Sequence, residues 1–354
     1  MIKLALLFLL IFVSCTEKHN MEDIYFKEAT EIKGEKLPEE YLTSFSFCGY
    51  YTSYGFLGSM MLPNNSWIHL ADLHSGKILS SVCPKGRGPG ELLALTASTT
   101  DFYNNTLYAL DPVVEKVQKV SLEDNVLVLK ETLPLISAGP RFIPNIQVVS
   151  DSLFVLFTSS VGYRYAIELV NIQSEVISRV DYRILDDDNI DHSKVGGFSV
   201  DMKISPCRRY LYILNKFNSV KKYSIADNKI ELMDNYLITE PQYTVEQGKL
   251  NIKDSQLFLH GSLAVGDEYI YISVTPEYAE EYMMRKEEAQ KSGVMMSNEP
   301  DANSYILVFD SNMKFVNSYK LDTQIGWMTL TPDNSIIYAA DYTNHCLTKY
   351  TLQK

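Results

Sequence analysis

Six segments of this chain share one shape: SWIHLADLHSGKILSSV from Ser66, TLYALDPVVEKVQKVSL from Thr106, SLFVLFTSSVGYRYAIELV from Ser152, YLYILNKFNSVKKYSI from Tyr210, YIYISVTPEY from Tyr269 and IIYAADYTNHCLTKYTL from Ile336. Each opens on a short apolar strand, passes through a polar turn and returns as a second strand, the pattern of a β-hairpin. Most are preceded by another short apolar run: Leu95–Ala97, Ile146–Val149, Phe198–Ile204, Ser262–Val265 and Trp327–Leu330. A strand-only unit of this size cannot bury both faces alone. Stacking such units around an axis buries them and leaves short edges. The spacing, 40 to 67 residues between starts, suits four-stranded propeller blades. The reading is an all-β, six-bladed propeller of antiparallel blades.

The ends of the chain fit closure. After Trp327 only three strands remain, and the fourth is expected from the N-terminal stretch Glu22–Ile32. One segment breaks the pattern inside blade five. Pro276–Gly293, PEYAEEYMMRKEEAQKSG, is rich in Glu, Met, Ala and Lys, with proline at its start and glycine at its end. That punctuation predicts a helical insertion, with Tyr278, Tyr282, Met283 and Ala289 on one apolar face. It either covers a blade edge or serves as a lid or docking element.

The first residues, MIKLALLFLLIFVSC, carry Lys3 ahead of an apolar run from Leu4 to Val13. The run is too short to span a bilayer, which takes about 20 residues, and reads as a secretory signal. Cys15 follows a small residue at its end, an arrangement that resembles a bacterial lipoprotein cleavage site. The expected organisation is a lipoprotein-type signal over 1–14, a tether over 15–21, and one propeller domain over 22–354. A lipid on Cys15 would attach the chain to a membrane without spanning it, on the periplasmic face or at the outer membrane and cell surface. The formal charge is −12, and no run of lysine and arginine offers nucleic acid a footprint. Cys48, Cys83, Cys207 and Cys346 allow three pairings. Their wide spacing gives no C-x-x-C, so buried free thiols are favoured.

IYAADYTNHCLTKY (Ile337–Tyr350) is similar to the repeat signature of NHL-type propellers, and LYALDPVVEKVQKV is a weaker copy. GRGPGEL resembles the glycine-rich loop between blades of the same superfamily. With the cysteine at position 15, these motifs resemble the TolB-like six-bladed propeller lipoproteins of Bacteroidota. Thr158 and Asn215 stand where the repeat expects aspartate. Asp72, Asp111 and Asp341 are placed at the ends of second strands, where a carboxylate accepts turn N–H groups and caps the hairpin.

The search for chemistry excludes more than it finds. Gly86-Arg87-Gly88-Pro89-Gly90-Glu91 follows Lys85, so the lysine precedes the glycines, and no helix opens after them. Both facts exclude a P-loop. The stretch reads as a structural crossing from blade one to blade two, with Arg87 and Glu91 expected to pair. Asp187, Asn189 and Asp191 alternate as in a calcium loop, but His192 and Phe198 replace its glycine and bidentate glutamate, so a solvated acidic loop is preferred to calcium. His69 and Asp72 fall on opposite faces of one strand. The resemblance also implies comparison with propeller hydrolases that use Glu, Asn and Asp at the channel mouth. Here the inner strands offer mainly Asp201. No catalytic set, metal site or cofactor emerges. The inner strands begin near Arg141, Phe198, His260 and Trp327, a mixture suited to a sugar or peptide. The expected function is therefore a lipid-anchored envelope module binding a glycan, a peptide or an envelope protein, with a metal-assisted hydrolase or lyase as the alternative.

Overall fold

In the computed structural model the repeated segments form six four-stranded meanders. The residues described are 23–37, 45–51, 54–59, 65–75, 77–135, 141–160, 164–173, 175–192, 200–292, 303–344 and 346–352. The second strand of a blade is buried on both faces, as in Thr106–Asp111, Leu153–Ser160 and Tyr210–Asn215. Neighbouring blades cover both sides, so these strands read as near-continuous apolar runs. Outer strands are mostly exposed, as in Val126–Pro134.

Counting from the axis, blade two runs Thr100–Tyr103, Thr106–Asp111, Lys116–Glu123 and Val126–Pro134. Blade three opens on Arg141–Ser150, blade four on Val200–Ile204 and blade six on Ile325–Leu330. Blade one opens on Phe45–Tyr51. Blade five has a broken inner strand, Leu257–His260 then Leu263–Val265, both paired with Tyr269–Tyr278. These inner strands touch one another in a closed cycle from blade one to blade six and back.

Six apolar clusters fill the six interfaces of the ring. Trp67 and Leu70 meet Leu107 and Val120 between blades one and two. Tyr108 and Leu110 meet Phe154 and Leu156 between two and three. Ile167 and Leu169 meet Leu211 and Tyr223 between three and four. Leu214 and Val220 meet Ile272 and Phe309 between four and five. Ile306 and Tyr319 meet Ile337 and Tyr350 between five and six. Ala71 and Leu73 meet Tyr338 and Leu347 where blade six returns to blade one.

An inner strand has an edge facing the axis, and its backbone N–H groups need acceptors. Three side chains supply them across blade boundaries. Val148 N donates to Asp101 Oδ2 at 2.7 Å, from blade three to blade two. Ile204 N donates to Gln147 Oε1 at 2.9 Å, from blade four to blade three. Leu263 N donates to Asp201 Oδ2 at 2.6 Å, from blade five to blade four. Arg208, in the turn after the inner strand of blade four, adds a longer tie. Its guanidinium donates to Asp101 Oδ2 at 2.6 Å, to Val148 O at 2.9 Å and to Phe102 O at 2.6 Å. One side chain thus joins three blades.

The hairpin caps behave as their chemistry requires, with one shift of place. Asp111 Oδ1 accepts Val113 N at 2.9 Å, and Asp341 Oδ1 accepts Asn344 N at 2.8 Å. Asp72 Oδ1 accepts His74 N at 2.8 Å, but Asp72 ends the third strand of blade one, Ser66–Asp72, not the second. Asn215 performs the same task in blade four: its Oδ1 accepts Phe217 N at 2.9 Å. Its amide nitrogen also donates to Ile184 O at 2.9 Å, which an aspartate could not do.

Other expectations shift as well. Leu95–Ala97 is no strand; Leu95 is buried in the interface of blades one and two, and the inner strand starts at Thr100. The N-terminal stretch divides its work. Thr30–Ile32 lies parallel along the outer strand of blade five, Phe315–Leu321. The fourth strand of blade six is the later, two-residue Glu35–Lys36, paired with Cys346–Thr351. Gly34 makes that passage possible, since a Cβ there would fall 2.2 Å from Thr348 Cγ2. Cys83 is buried, and its thiol is pushed up to about 12 by desolvation, whereas Cys207 is exposed, so not every thiol is buried.

Gln147→Leu should lower the unfolding free energy by about 1–3 kcal/mol, because it leaves the buried Ile204 N–H without an acceptor. Thermal or denaturant unfolding reads this directly. An unchanged transition would show that the tie between blades three and four contributes nothing.

Candidate functional site

The parallel inner strands all begin at one end of the ring. Arg141 opens the inner strand of blade three, and Trp327 is the third residue of that of blade six. His260 ends the upper segment of blade five's inner strand. Phe198 and Cys15 lie outside the described residues. The topology thus places Arg141, His260 and Trp327 at the same end, and His260 enters a tight side-chain cluster.

Gly261 creates that cluster. A Cβ at this position would fall 1.6 Å from the Ser273 carbonyl oxygen, so only glycine lets the inner strand break here. The break allows Leu257–His260 to pair with the end of the next strand, His260 opposite Thr275 and Phe258 opposite Glu277. The insertion then begins. Its helix is Ala279–Ser292, shorter at the start than expected because Pro276 and Glu277 still belong to the strand. Glu281 Oε2 accepts Tyr278 N at 3.0 Å and caps the helix start.

The helix turns toward the ring a stripe that keeps Tyr282 and Ala289 of the predicted face and leaves out Tyr278 and Met283. Ala279 is buried, Tyr282 and Arg285 are partly buried, and Tyr278 and Met283 are exposed. Glu277, 3% exposed, receives Arg285 through Nε and Nη2, both at 2.8 Å. His260 Nε2 lies 2.8 Å from the same carboxylate. The Tyr282 ring stacks on His260 (centroids 6.0 Å, 23°) and meets Phe258 edge-on at 5.8 Å. Lys216, from the turn after Tyr210–Asn215, places its ammonium 5.1 Å from the Phe258 centroid and 5.2 Å from that of Tyr282. Desolvation lowers the pKa of Lys216, helped by Lys286 and opposed by Glu277. Desolvation likewise lowers that of His260, despite the attraction of Glu277.

A patch of two aromatic rings, a neutral imidazole, two cations and one buried carboxylate can recognise rings and charges. The sequence named His260 alone. Lys216 sits in an ordinary turn, and Glu277 and Arg285 are eight residues apart, joined only because a strand meets a helix between them.

The remaining candidates take places fixed by their bonds. Asp201 is buried in blade four's inner strand; its pKa is raised by desolvation, and Oδ1 has no hydrogen-bond partner among the described residues. The amide of Asn145, on the neighbouring inner strand, is buried with neither end bonded among the described residues. Asp187 spends Oδ1 on Asn189 N at 2.9 Å and Oδ2 on Tyr243 OH at 3.1 Å, which fastens the acidic loop to the hairpin Tyr243–Glu246 and Lys249–Ile252. Among the described residues no group of three or more His, Cys, Asp and Glu side chains converges as metal ligands. His69 is buried, with Nδ1 2.7 Å from Ser81 Oγ and Nε2 2.8 Å from Ser66 O.

The stretch Gly86–Glu91 lies between the outer strand of blade one, Ile78–Pro84, and the inner strand of blade two. Glu91 does not pair with Arg87: its Oε2 accepts Gly88 N at 2.6 Å, and Arg87 is exposed. A Cβ on Gly86 would fall 2.1 Å from that carboxylate, so glycine makes room for it. Lys116 donates to Gly88 O at 3.0 Å, and Gln118 to Glu91 O at 3.3 Å, both from blade two. Gly90 has φ +78°, and a Cβ there would meet Leu129 Cδ2 at 2.6 Å.

Comparison with known proteins adds a family description, TolB-like 6-blade propeller-like, that matches residues 53–333. Among solved structures, a member of the DUF4221 family from Bacteroides vulgatus ATCC 8482 superposes with TM-score 0.55 at 11% identity, covering 92% of this chain and 97% of that one. An inferred exported protein from Bacteroides fragilis NCTC 9343 gives TM-score 0.54 at 13% identity, covering 92% and 95%. At these identities the likeness is one of fold. No curated protein matches the chain.

Two outcomes follow. Gly90→Ala should cost about 1–3 kcal/mol, from the left-handed backbone and the clash with Leu129, and a variant that melts at the parent temperature would refute the constraint. His69, His192 and His260 all have pKa values lowered chiefly by desolvation. The unfolded chain therefore protonates first, and stability present above pH ~6.5 is lost as pH falls below it. Melting temperatures taken between pH 7.5 and 5.5 should fall with pH, and His260→Gln should remove part of the fall. A flat profile in the parent chain would contradict the desolvation of these imidazoles.

Proposed function

We propose, for a chain that belongs to the TolB-like six-blade propeller family, that it works as a binding module held at the cell envelope by a lipid on Cys15. Its ligand is a peptide, a glycan or an envelope protein, received at the end of the ring where the inner strands begin. The observation that carries this reading is the cluster of Lys216, Phe258, His260, Glu277, Tyr282 and Arg285. It lies at that end, where the strand Tyr269–Tyr278 passes into the insertion helix. Aromatic rings beside cations recognise sugar faces, planar side chains and acidic groups with few contacts.

The anchor is supported by the sequence of residues 1–15 and by the likeness of fold to a protein described as exported. The apolar run is a signal, and the mature chain starts at Cys15. No described helix is long and apolar enough to cross a membrane. Arg141 and Trp327 are proposed as further contacts at the rim of the same end, on the strength of their places in the topology, and Phe198 on the sequence alone. Gly86–Glu91 is proposed as scaffold, since its polar groups are spent within the crossing and on blade two.

Affinity capture from envelope extracts tests the module. The parent chain should retain a partner that Lys216→Ala loses by about tenfold in affinity or more, with an unchanged melt. Equal retention would move the binding surface elsewhere. Cys15→Ala should abolish labelling by a fatty-acid probe and shift the protein to the soluble fraction. Unchanged membrane association would overturn the anchor.

A further inference from the structure

The insertion helix meets the ring through few groups. Of Ala279–Ser292 only Ala279 is buried, and Met283 and Met284 stand 48% and 60% exposed. Tyr282 and Arg285 make the specific contacts, and they enter a socket the ring builds without them. Phe258 and His260 come from blade five's inner strand, Glu277 from the strand beside it, and Lys216 from blade four. Tyr282 fills the aromatic part, touching His260, Phe258 and Lys216 at once. Arg285 fills the charged part, with a two-pronged bond to a carboxylate that is otherwise almost wholly enclosed.

Without the helix this would be a recognition site of defined chemistry. It offers rings for a planar side chain and, beside them, a carboxylate for a guanidinium, whose bidentate fit is specific. A buried carboxylate deprived of its cation is costly, so the socket favours being filled. A segment held by so few buried groups opens locally at low free energy.

We infer that the insertion helix is an internal occupant of a peptide-binding socket, and that the external ligand is a protein segment presenting an aromatic side chain and an arginine one helical turn apart, in place of Tyr282 and Arg285. The inference rests on the module reading and gives it a ligand class and a resting, self-occupied state. The tethered helix competes at high effective concentration, so an external segment binds only as the helix is displaced.

The probe is a fluorescein-labelled peptide of residues 278–292, titrated into the full chain and read by anisotropy. Tyr282→Ala/Arg285→Ala, which vacates the socket, should capture the peptide, and the parent chain should bind it about tenfold or more weakly. A peptide carrying Tyr282→Ala should not be captured, nor should the labelled peptide bind when Phe258→Ala is added to the vacated chain. Equal capture by parent and vacated chains, equal capture of the two peptides, or no capture by a vacated chain with a parental melt would each overturn the proposal. A second vacated form, with 279–292 replaced by a glycine–serine linker, serves should the double variant unfold. Hydrogen exchange needs no variant: the helix amides should exchange well ahead of those of Tyr269–Tyr278, and exchange at the strand's rate would also overturn it. All of these use purified protein, so they succeed or fail independently of capture from envelope extracts.

Discussion

The ring depends on how its inner edges are satisfied. Strands at the axis of a propeller have no further strand to pair with, and their N–H groups are buried too deeply for bulk water. Here Asp101, Gln147 and Asp201 reach from one blade to accept an N–H of the next. Apolar packing between blades is strong but tolerates sliding, because one oily face fits another in many registers. A hydrogen bond from a particular side chain to a particular amide does not slide. These contacts set the height at which each blade stands against its neighbour, and the ends of the ring inherit that alignment. Asp101 carries the heaviest load, accepting Val148 N and the Arg208 guanidinium on the same oxygen.

The candidate site follows from one local departure from that order. Blade five's inner strand is interrupted at Gly261, and its first segment pairs higher on the neighbouring strand than the second. The extra pairing sets Phe258 and His260 beside the end of Tyr269–Tyr278, and the same strand carries Glu277 to the start of the helix. A glycine forced by the closeness of a carbonyl thus has its effect at a cluster built around one buried carboxylate. The acidic loop at Asp186–Asp191 is held differently, by Tyr243 and by Lys221, whose ammonium reaches Asp186 Oδ1 at 2.6 Å.

Much of the fold was legible in the sequence because a blade repeats. Paired strands with an Asp or Asn after the apolar run recur, and each copy strengthens the reading of the others. Asn215 shows the limit of residue matching: it departs from the repeat yet caps its turn with the same oxygen. What stayed hidden was whatever depends on partners far along the chain. Thr30–Ile32 alternates like a closing strand, but whether it closes blade six or lines blade five is decided by Gly34 and by the side chains it passes. The cluster around Glu277 was hidden for the same reason. His260, Lys216 and Arg285 are ordinary residues in sequence, and only the broken strand and the insertion bring them to one carboxylate. The expected Arg87–Glu91 pair failed because the backbone N–H of Gly88, three residues before Glu91 in the same loop, takes the carboxylate at shorter range than a flexible guanidinium.

The closing strand also sets an order of events. Glu35–Lys36 completes blade six by pairing with residues more than 300 positions later, and Glu35 reaches Lys349 across a separation of 314. The earlier segment therefore waits for one made much later. Until that pairing forms, Cys346–Thr351 is paired with Ile336–Asp341 on one side alone. Such non-local pairing slows folding.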